Sequence, residues 1–246
     1  MITISLRRPD ATLYGDSLGQ GHEILLLHAG GERRRVWHPV MHDLAGSGCR
    51  SVAWDQRGHG ASDGGRHAPV TAFGDDAVEM ISQLRMPLVV GASLGGFAAL
   101  LALANPSVER QVAGLVLVDV IPDPDTDRTR RFLAPLGMDT SPLVEDILGR
   151  RDRLREIAAS LQLPILAIRA GDRAEHPDTD ADRFARFVPN AAFATVAGAG
   201  HLVARDKPVE LAALLAAFVH SDSVRERQLN GGPANAAEPG MAGSGL

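Results

Sequence analysis

The sequence predicts an α/β protein built on a mostly parallel, eight-stranded sheet with helices on both faces. Three observations carry that expectation. Short apolar runs of strand length alternate with helical patterns along most of the chain. Runs such as Leu25-Leu26-Leu27 and Leu88-Val89-Val90 are apolar without alternation, the pattern of strands covered on both faces. A chain of 246 residues, 45% of them hydrophobic, is also long enough to bury a sizeable core.

In chain order, strands are expected at Thr3–Leu6, Thr12–Tyr14, Glu23–His28, Arg50–Trp54, Pro87–Ala92, Gly114–Val120, Ile165–Ala170 and Ala192–Val196. Helices are expected near Val36–Ala45, Thr71–Leu84, Leu94–Ala104, Pro177–Val188 and Pro208–Val219. Little more than Pro9-Asp10 separates the first two strands, which predicts an antiparallel hairpin at one edge of the sheet. No internal repeat is visible.

Two stretches depart from this rhythm. Residues 122–162 hold no clear strand and end in a helical pattern carrying Arg150, Arg151, Arg153 and Arg155. Their place between two strands suggests an excursion over the C-terminal edge of the sheet, a short lid, with the arginines on a solvated helix face. The main domain therefore spans 1–220. The tail 221–246 is rich in Gly, Ala, Pro, Asn and Glu without periodicity, so it is expected to be disordered.

Composition excludes several function classes. A net charge of −5 gives no general pull toward nucleic acid or an anionic membrane surface. Cys49, the single cysteine, has no intramolecular disulfide partner, which suggests a reducing compartment. The first residues reach charge at once and do not read as a signal peptide, and no apolar run approaches bilayer length. A cytoplasmic location is the expectation.

The most informative stretch is Leu88–Leu100, where an apolar strand, a Gly-x-Ser-x-Gly turn and a small-residue helix follow one another. A serine in so tight a strand-to-helix turn is pushed out at the top of the sheet. Gly91 and Gly95 are required where side chains would strike the neighbouring strand and helix. Ser93 is thus the expected nucleophile. A hydroxyl needs a base, and among nine histidines His201 alone sits late, in a glycine-rich loop after the last expected strand. Strand 23–28 ends in Ala29-Gly30-Gly31, which leaves the Gly30 N–H to donate beside that of Leu94, the residue after the serine, as an oxyanion hole. His28 is expected to brace this loop.

Together, His28–Gly31, Trp54–Ser62, Gly91–Gly96, Leu115–Val120 and Gly198–His201 resemble the α/β-hydrolase fold superfamily, in particular single-domain serine hydrolases of the esterase, lactonase and haloperoxidase-like type. The resemblance runs from Leu25 to about Phe218. It implies the α/β-hydrolase fold and assigns Asp55 and Arg57 to loop structure, not catalysis. It also implies a triad acid in the loop after Ile165–Ala170, three residues past a glycine, but that position is Ala174. Asp119, at the end of the preceding strand, matches where some relatives carry the acid. Glu175 and, less favourably placed, Asp172 are the alternatives, and a chain with no working acid is the remaining one. The implied activity is hydrolysis of a carboxylic ester or lactone of a small molecule through an acyl-enzyme, with no cofactor and no metal. Thioester or carbon–carbon bond hydrolysis needs the same apparatus. A non-hydrolytic small-molecule-binding homologue with an impaired triad is the reading from another class. Neither nucleic acid nor membrane is implied as a partner.

Overall fold

The Pro9-Asp10 turn folds β1 (Ile2–Arg7) back on β2 (Thr12–Gly19), with the Arg8 N–H donating to Ala11 O at 2.7 Å and antiparallel pairs running from Ile2–Ser17 to Arg7–Thr12. The computed structural model describes residues 1–171 and 178–230. After the hairpin come β3 (His22–Leu27), α1 (His38–Gly46), β4 (Cys49–Trp54), α2 (Val70–Ser82), β5 (Leu88–Ala92) and α3 (Leu94–Leu103). The short α4 (Pro106–Glu109) leads into β6 (Gly114–Val118), followed by α5 (Thr126–Leu133), α6 (Pro142–Gly149) and α7 (Arg151–Ser160). The chain continues through β7 (Ile165–Ala170), α8 (Asp178–Phe187), β8 (Ala191–Val196), α9 (Val203–Asp206), α10 (Pro208–Val219) and α11 (Asp222–Asn230).

The eight strands form one sheet in the order β1-β2-β4-β3-β5-β6-β7-β8. β2 joins β4 antiparallel, and every pairing from β4 onward is parallel. β3 lies between β4 and β5, so the chain leaves it on one side and returns on the other. In open α/β sheets the crevice at the carboxyl ends of strands flanking such a reversal is where ligands bind. Here those ends are Leu27 and Ala92, with Leu27 paired to Gly91.

Alternate side chains of the central strands enter two cores. Leu25, Leu27, Val89 and Leu117 pack with α2, α3 and α7, while Ile24, Leu26, Val90 and Val116 pack with α1 and α10. All are buried, as an apolar run without alternation requires. In α10 the stripe Leu211, Leu215, Val219 repeats every four residues and is fully covered. Among the described residues no helix is long and apolar enough to cross a membrane.

Element ends differ from the sequence expectation where a local cause intervenes. The helix expected from Val36 begins as a 3-10 turn, Arg34–Trp37, and becomes α-helical only at His38, where Pro39 occupies the first turn. The second strand runs on to Gly19 because buried Asp16 is satisfied by Thr3, Arg34 and His38, a set no local pattern reveals. The sixth strand stops at Val118, since Asp119 turns to φ +49° while its N–H still bonds Ile168 O (2.7 Å).

The excursion at 122–162 has two parts of different character. α6 and α7 bury Leu143, Ile147, Leu154 and Ile157 in the main core, whereas α5 buries no residue. The expectation of disorder from residue 221 does not hold for 222–230. α11 docks through fully buried Val224, which meets the start of β6 at Gly114, and Arg227 donates to the carbonyls of Val112 (2.8 Å) and Glu109 (2.9 Å). Gln228 adds a contact to His22 Nδ1 (2.9 Å), so a helix whose composition is otherwise polar is held by one buried side chain and a few polar contacts. Residues 231–246 lie outside those described.

Candidate active site

The turn between β5 and α3 is set by glycine. A Cβ at Gly91 would lie 2.5 Å from the Gly95 carbonyl oxygen and the Gly96 N, and one at Gly95 would overlap the Leu27 carbonyl on the adjacent strand. A Cβ at Gly96 would come within 2.5 Å of Val120 Cγ1. Only three small residues let α3 start this close to the sheet. Ser93 is left at φ +46°, ψ −113°, a conformation that costs a non-glycine residue about 1–3 kcal/mol. The turn is locked by the Ser93 N–H to Val118 O (3.3 Å) and by the Gly96 and Phe97 N–H groups to Ser93 O (2.9 and 3.2 Å). The hydroxyl itself makes no hydrogen bond among the described residues.

Gly30 stands against this turn, because a Cβ there would be 3.9 Å from Leu94 Cβ. Among the described residues neither the Gly30 nor the Leu94 N–H donates to another group. Leu94 is the first residue of α3, so its N–H has no partner within the helix. Gly30 and Leu94 thus lie side by side next to Ser93.

His28 holds this turn from behind. It is completely buried; its Nδ1 bonds the Ala29 carbonyl at 2.8 Å, and its Nε2 accepts from the Gln56 N–H at 3.0 Å. These partners fix the neutral ring with its proton on Nδ1. Burial pushes the imidazole down to about 4, with neighbouring His59 adding in the same direction and the Ala29 carbonyl opposing. The Gln56 side-chain amide donates to the His28 carbonyl as well (2.6 Å), so strand β3 and the loop after β4 are tied together beneath the Ala29–Gly31 turn.

Asp119 and His201 come together from sequence positions 82 apart. His201 Nδ1 lies 2.9 Å from Asp119 Oδ2, while Asp119 Oδ1 accepts the Ala170 N–H at 3.0 Å. The left-handed turn at Asp119, pinned by its own N–H on Ile168 O (2.7 Å), swings the carboxylate across the end of β7 toward the histidine loop. That carboxylate is buried, and the imidazole is 16% exposed. With Nδ1 bonded to Asp119, Nε2 is the ring nitrogen without a partner among the described residues. The loop carrying His201 is shaped by Gly198 at φ +70° and by the Gly200 N–H on Asp206 Oδ2 (3.0 Å). Glu175 and Asp172, the other acids considered, lie outside the described residues.

Asp55 and Arg57 are absorbed by structure. Asp55 accepts the Ala61 and Arg34 N–H groups (2.8 and 2.6 Å) and pairs with the Arg34 side chain. Arg57 forms a bidentate pair with buried Asp76 (2.7 and 2.9 Å) and also reaches Asp10 (3.0 Å). One contact has no sequence signal. Phe132, on otherwise polar α5, meets the His201 ring edge-to-face with centroids 4.9 Å apart.

An eight-stranded, mostly parallel sheet with helices on both faces and a glycine-bounded serine elbow at its carboxyl edge is the α/β-hydrolase fold. The family described as "Serine aminopeptidase, S33" matches residues 21–136. A curated relative, "Putative carbamate hydrolase RutD" of Variovorax paradoxus (strain S110), is 33% identical over 123 residues, 48% of this chain and 45% of that protein. The match thus spans less than half the length of that relative. Among solved structures, a thermophilic esterase from Thermogutta terrifontis superposes with TM-score 0.71 at 21% identity, covering 93% of this chain and all of that one. The N-acyl homoserine lactonase AidH, solved as a point mutant with N-hexanoyl homoserine lactone, gives 0.70 at 19% identity, covering 89% and 97%. An esterase from Exiguobacterium antarcticum gives 0.68 at 19%, covering 86% and 96%.

Proposed function

We propose that this chain hydrolyses a carboxylic ester or lactone of a small molecule through an acyl-enzyme on Ser93. The observation that carries the reading is the Asp119–His201 hydrogen bond, which leaves Nε2 as the free nitrogen of an imidazole that follows β8 at the same carboxyl edge of the sheet as the strained serine. His201 takes the Ser93 proton as the hydroxyl attacks the carbonyl carbon. The Gly30 and Leu94 N–H groups receive the negative charge that develops on the carbonyl oxygen. The imidazolium, steadied by Asp119, returns its proton to the leaving alkoxide. A water deprotonated by the same Nε2 then attacks the acyl carbon and releases the acid and free Ser93. The relatives' names, which speak of esters, a lactone and a carbamate, support acyl transfer to water without fixing the acyl group.

The lid in this reading is α5 with the turn that follows it. It buries nothing of its own and is tethered by Arg130 to Glu145 (2.7 Å) and to the Asp139 carbonyl (3.1 Å). It touches the site through Phe132, which leaves the crevice accessible to small substrates.

A fluorophosphonate probe tests the core of the reading, since it reacts only with an activated serine. The wild-type chain is expected to label and Ser93→Ala not to label. A folded wild-type chain that stays unlabelled overturns the hydrolase reading in favour of a binding protein.

A further inference from the structure

We propose that a cavity beside the oxyanion turn is an anion subsite, and that the preferred substrates carry an ionised carboxylate on the acyl side of the scissile bond. This rests on the serine-hydrolase reading above. The cavity, about 240 Å³, is lined by Arg33, Arg34, Arg35, Asp55, Gly60 and Ala61.

Its three arginines are not equivalent. Arg34 is consumed internally: Nε donates to Asp16 Oδ2 (2.8 Å) and the guanidinium also pairs with Asp55. The carboxylates are equally occupied. Asp16 additionally takes Thr3 and His38 (both 2.9 Å), and Asp55 takes two backbone N–H groups. Arg33 and Arg35 are exposed, and among the described residues neither side chain makes a hydrogen bond or ion pair. The lining therefore holds three guanidiniums against one carboxylate, on a chain whose net charge is −5. Two unneutralised cations on one concave wall repel each other in the empty state and are relieved by a bound anion. Guanidinium groups match a carboxylate in a planar, bidentate manner that an ammonium cannot.

The subsite is also in reach of the chemistry. Arg33 follows Gly30 by three residues, so their Cα atoms are at most about 11 Å apart. The Glu32 N–H on Ala29 O (3.1 Å) folds the intervening chain and shortens that span. A short dicarboxylic half-ester, its carbonyl at Gly30 and its free carboxylate at Arg33 and Arg35, bridges such a distance.

The test compares 4-nitrophenyl hydrogen glutarate with 4-nitrophenyl pentanoate, an ester of like acyl length without the charge. Wild type is expected to favour the glutarate in kcat/KM by about 10- to 100-fold, the range for one or two charge-assisted hydrogen bonds. The double variant Arg33→Gln/Arg35→Gln should lose that preference through KM, and added salt should shrink it in wild type. Equal kcat/KM for the two esters in wild type, or a double variant that slows both alike, overturns the subsite. Should wild type hydrolyse neither ester and fail to label with fluorophosphonate, the hydrolase reading falls instead. Calorimetry with glutarate then decides the cavity alone: binding lost in the double variant supports it, and no binding or equal binding refutes it.

Discussion

Replacing Asp119 by Asn removes one negative charge and almost no volume, and it separates the chemistry of the carboxylate from its packing. In the native site both oxygens accept, Oδ1 from the Ala170 N–H and Oδ2 from His201 Nδ1. An amide has one acceptor face. If it keeps the backbone donor, its NH₂ points at Nδ1 and drives the imidazole proton to Nε2, where the ring no longer serves as a base. If it keeps the histidine, the buried Ala170 N–H loses its partner at a cost of about 1–3 kcal/mol. The first arrangement is cheaper for the fold and worse for the reaction. The expected loss in kcat is about 10³- to 10⁴-fold, or about 4–5 kcal/mol of transition-state stabilisation. Melting should fall by no more than about 4 °C, since a chain of this size shifts about 2–4 °C per kcal/mol. Steady-state hydrolysis of 4-nitrophenyl acetate together with calorimetric melting reads both quantities. Glu175→Gln is the control and should leave kcat near that of wild type. An Asp119→Asn protein that melts and turns over like wild type, or a Glu175→Gln protein that loses activity, refutes the assignment.

Three further outcomes follow from the same contacts. His28 is held neutral when folded, with its pKa down at about 4, whereas the unfolded chain takes up a proton at this residue below about 6.5. Its contribution is therefore full above pH 6.5 and is lost as pH falls toward 4, by about 3 kcal/mol over that window. Urea midpoints of wild type and His28→Gln at pH 7 and 4.5 should converge on acidification, and parallel profiles would count against it. Gly95→Ala drives a methyl into the Leu27 carbonyl on β3. We expect it to cost more than about 3 kcal/mol through overpacking against backbone, seen as insoluble protein or a much lower melting point; a soluble variant with native stability contradicts the close approach. Arg57→Met strands Asp76, which among the described residues keeps only Arg8 (2.9 Å), so about 3 kcal/mol should be lost in urea unfolding while fluorophosphonate labelling of Ser93 persists. Loss of labelling in a still-folded Arg57→Met protein would give Arg57 a part in the chemistry.

Much of the fold was legible because its signals are local. Continuous apolar strands announce a sheet covered on both faces, and the glycines around Ser93 report a steric demand that sequence alone exposes. Asp119 was legible only as one of several acids, because its geometry depends on a left-handed turn and on β7 lying beside it. Neither the turn nor that adjacency has a local pattern. Phe132 reaches His201 from a helix whose composition is polar, and α11 is fixed by Val224 and Arg227 against partners more than a hundred residues away. Such contacts are products of topology. Arg33 and Arg35 carry no signal in the sequence, because only the internal pairing of Arg34 with Asp16 and Asp55 shows which of the three guanidiniums are left over.

The docking of α11 also has a practical reading. Val224 meets Gly114, the residue that opens β6, whereas Asp119 follows the last residue of that strand. The final described helix is therefore anchored under the base of the sheet, with the length of a strand between it and the reactive rim. A resin, a surface or a fused protein attached behind Asn230 would grip the molecule from below. Such a handle leaves the mouth of the crevice facing outward, whereas the hairpin at the other end of the chain forms one rim of the sheet itself.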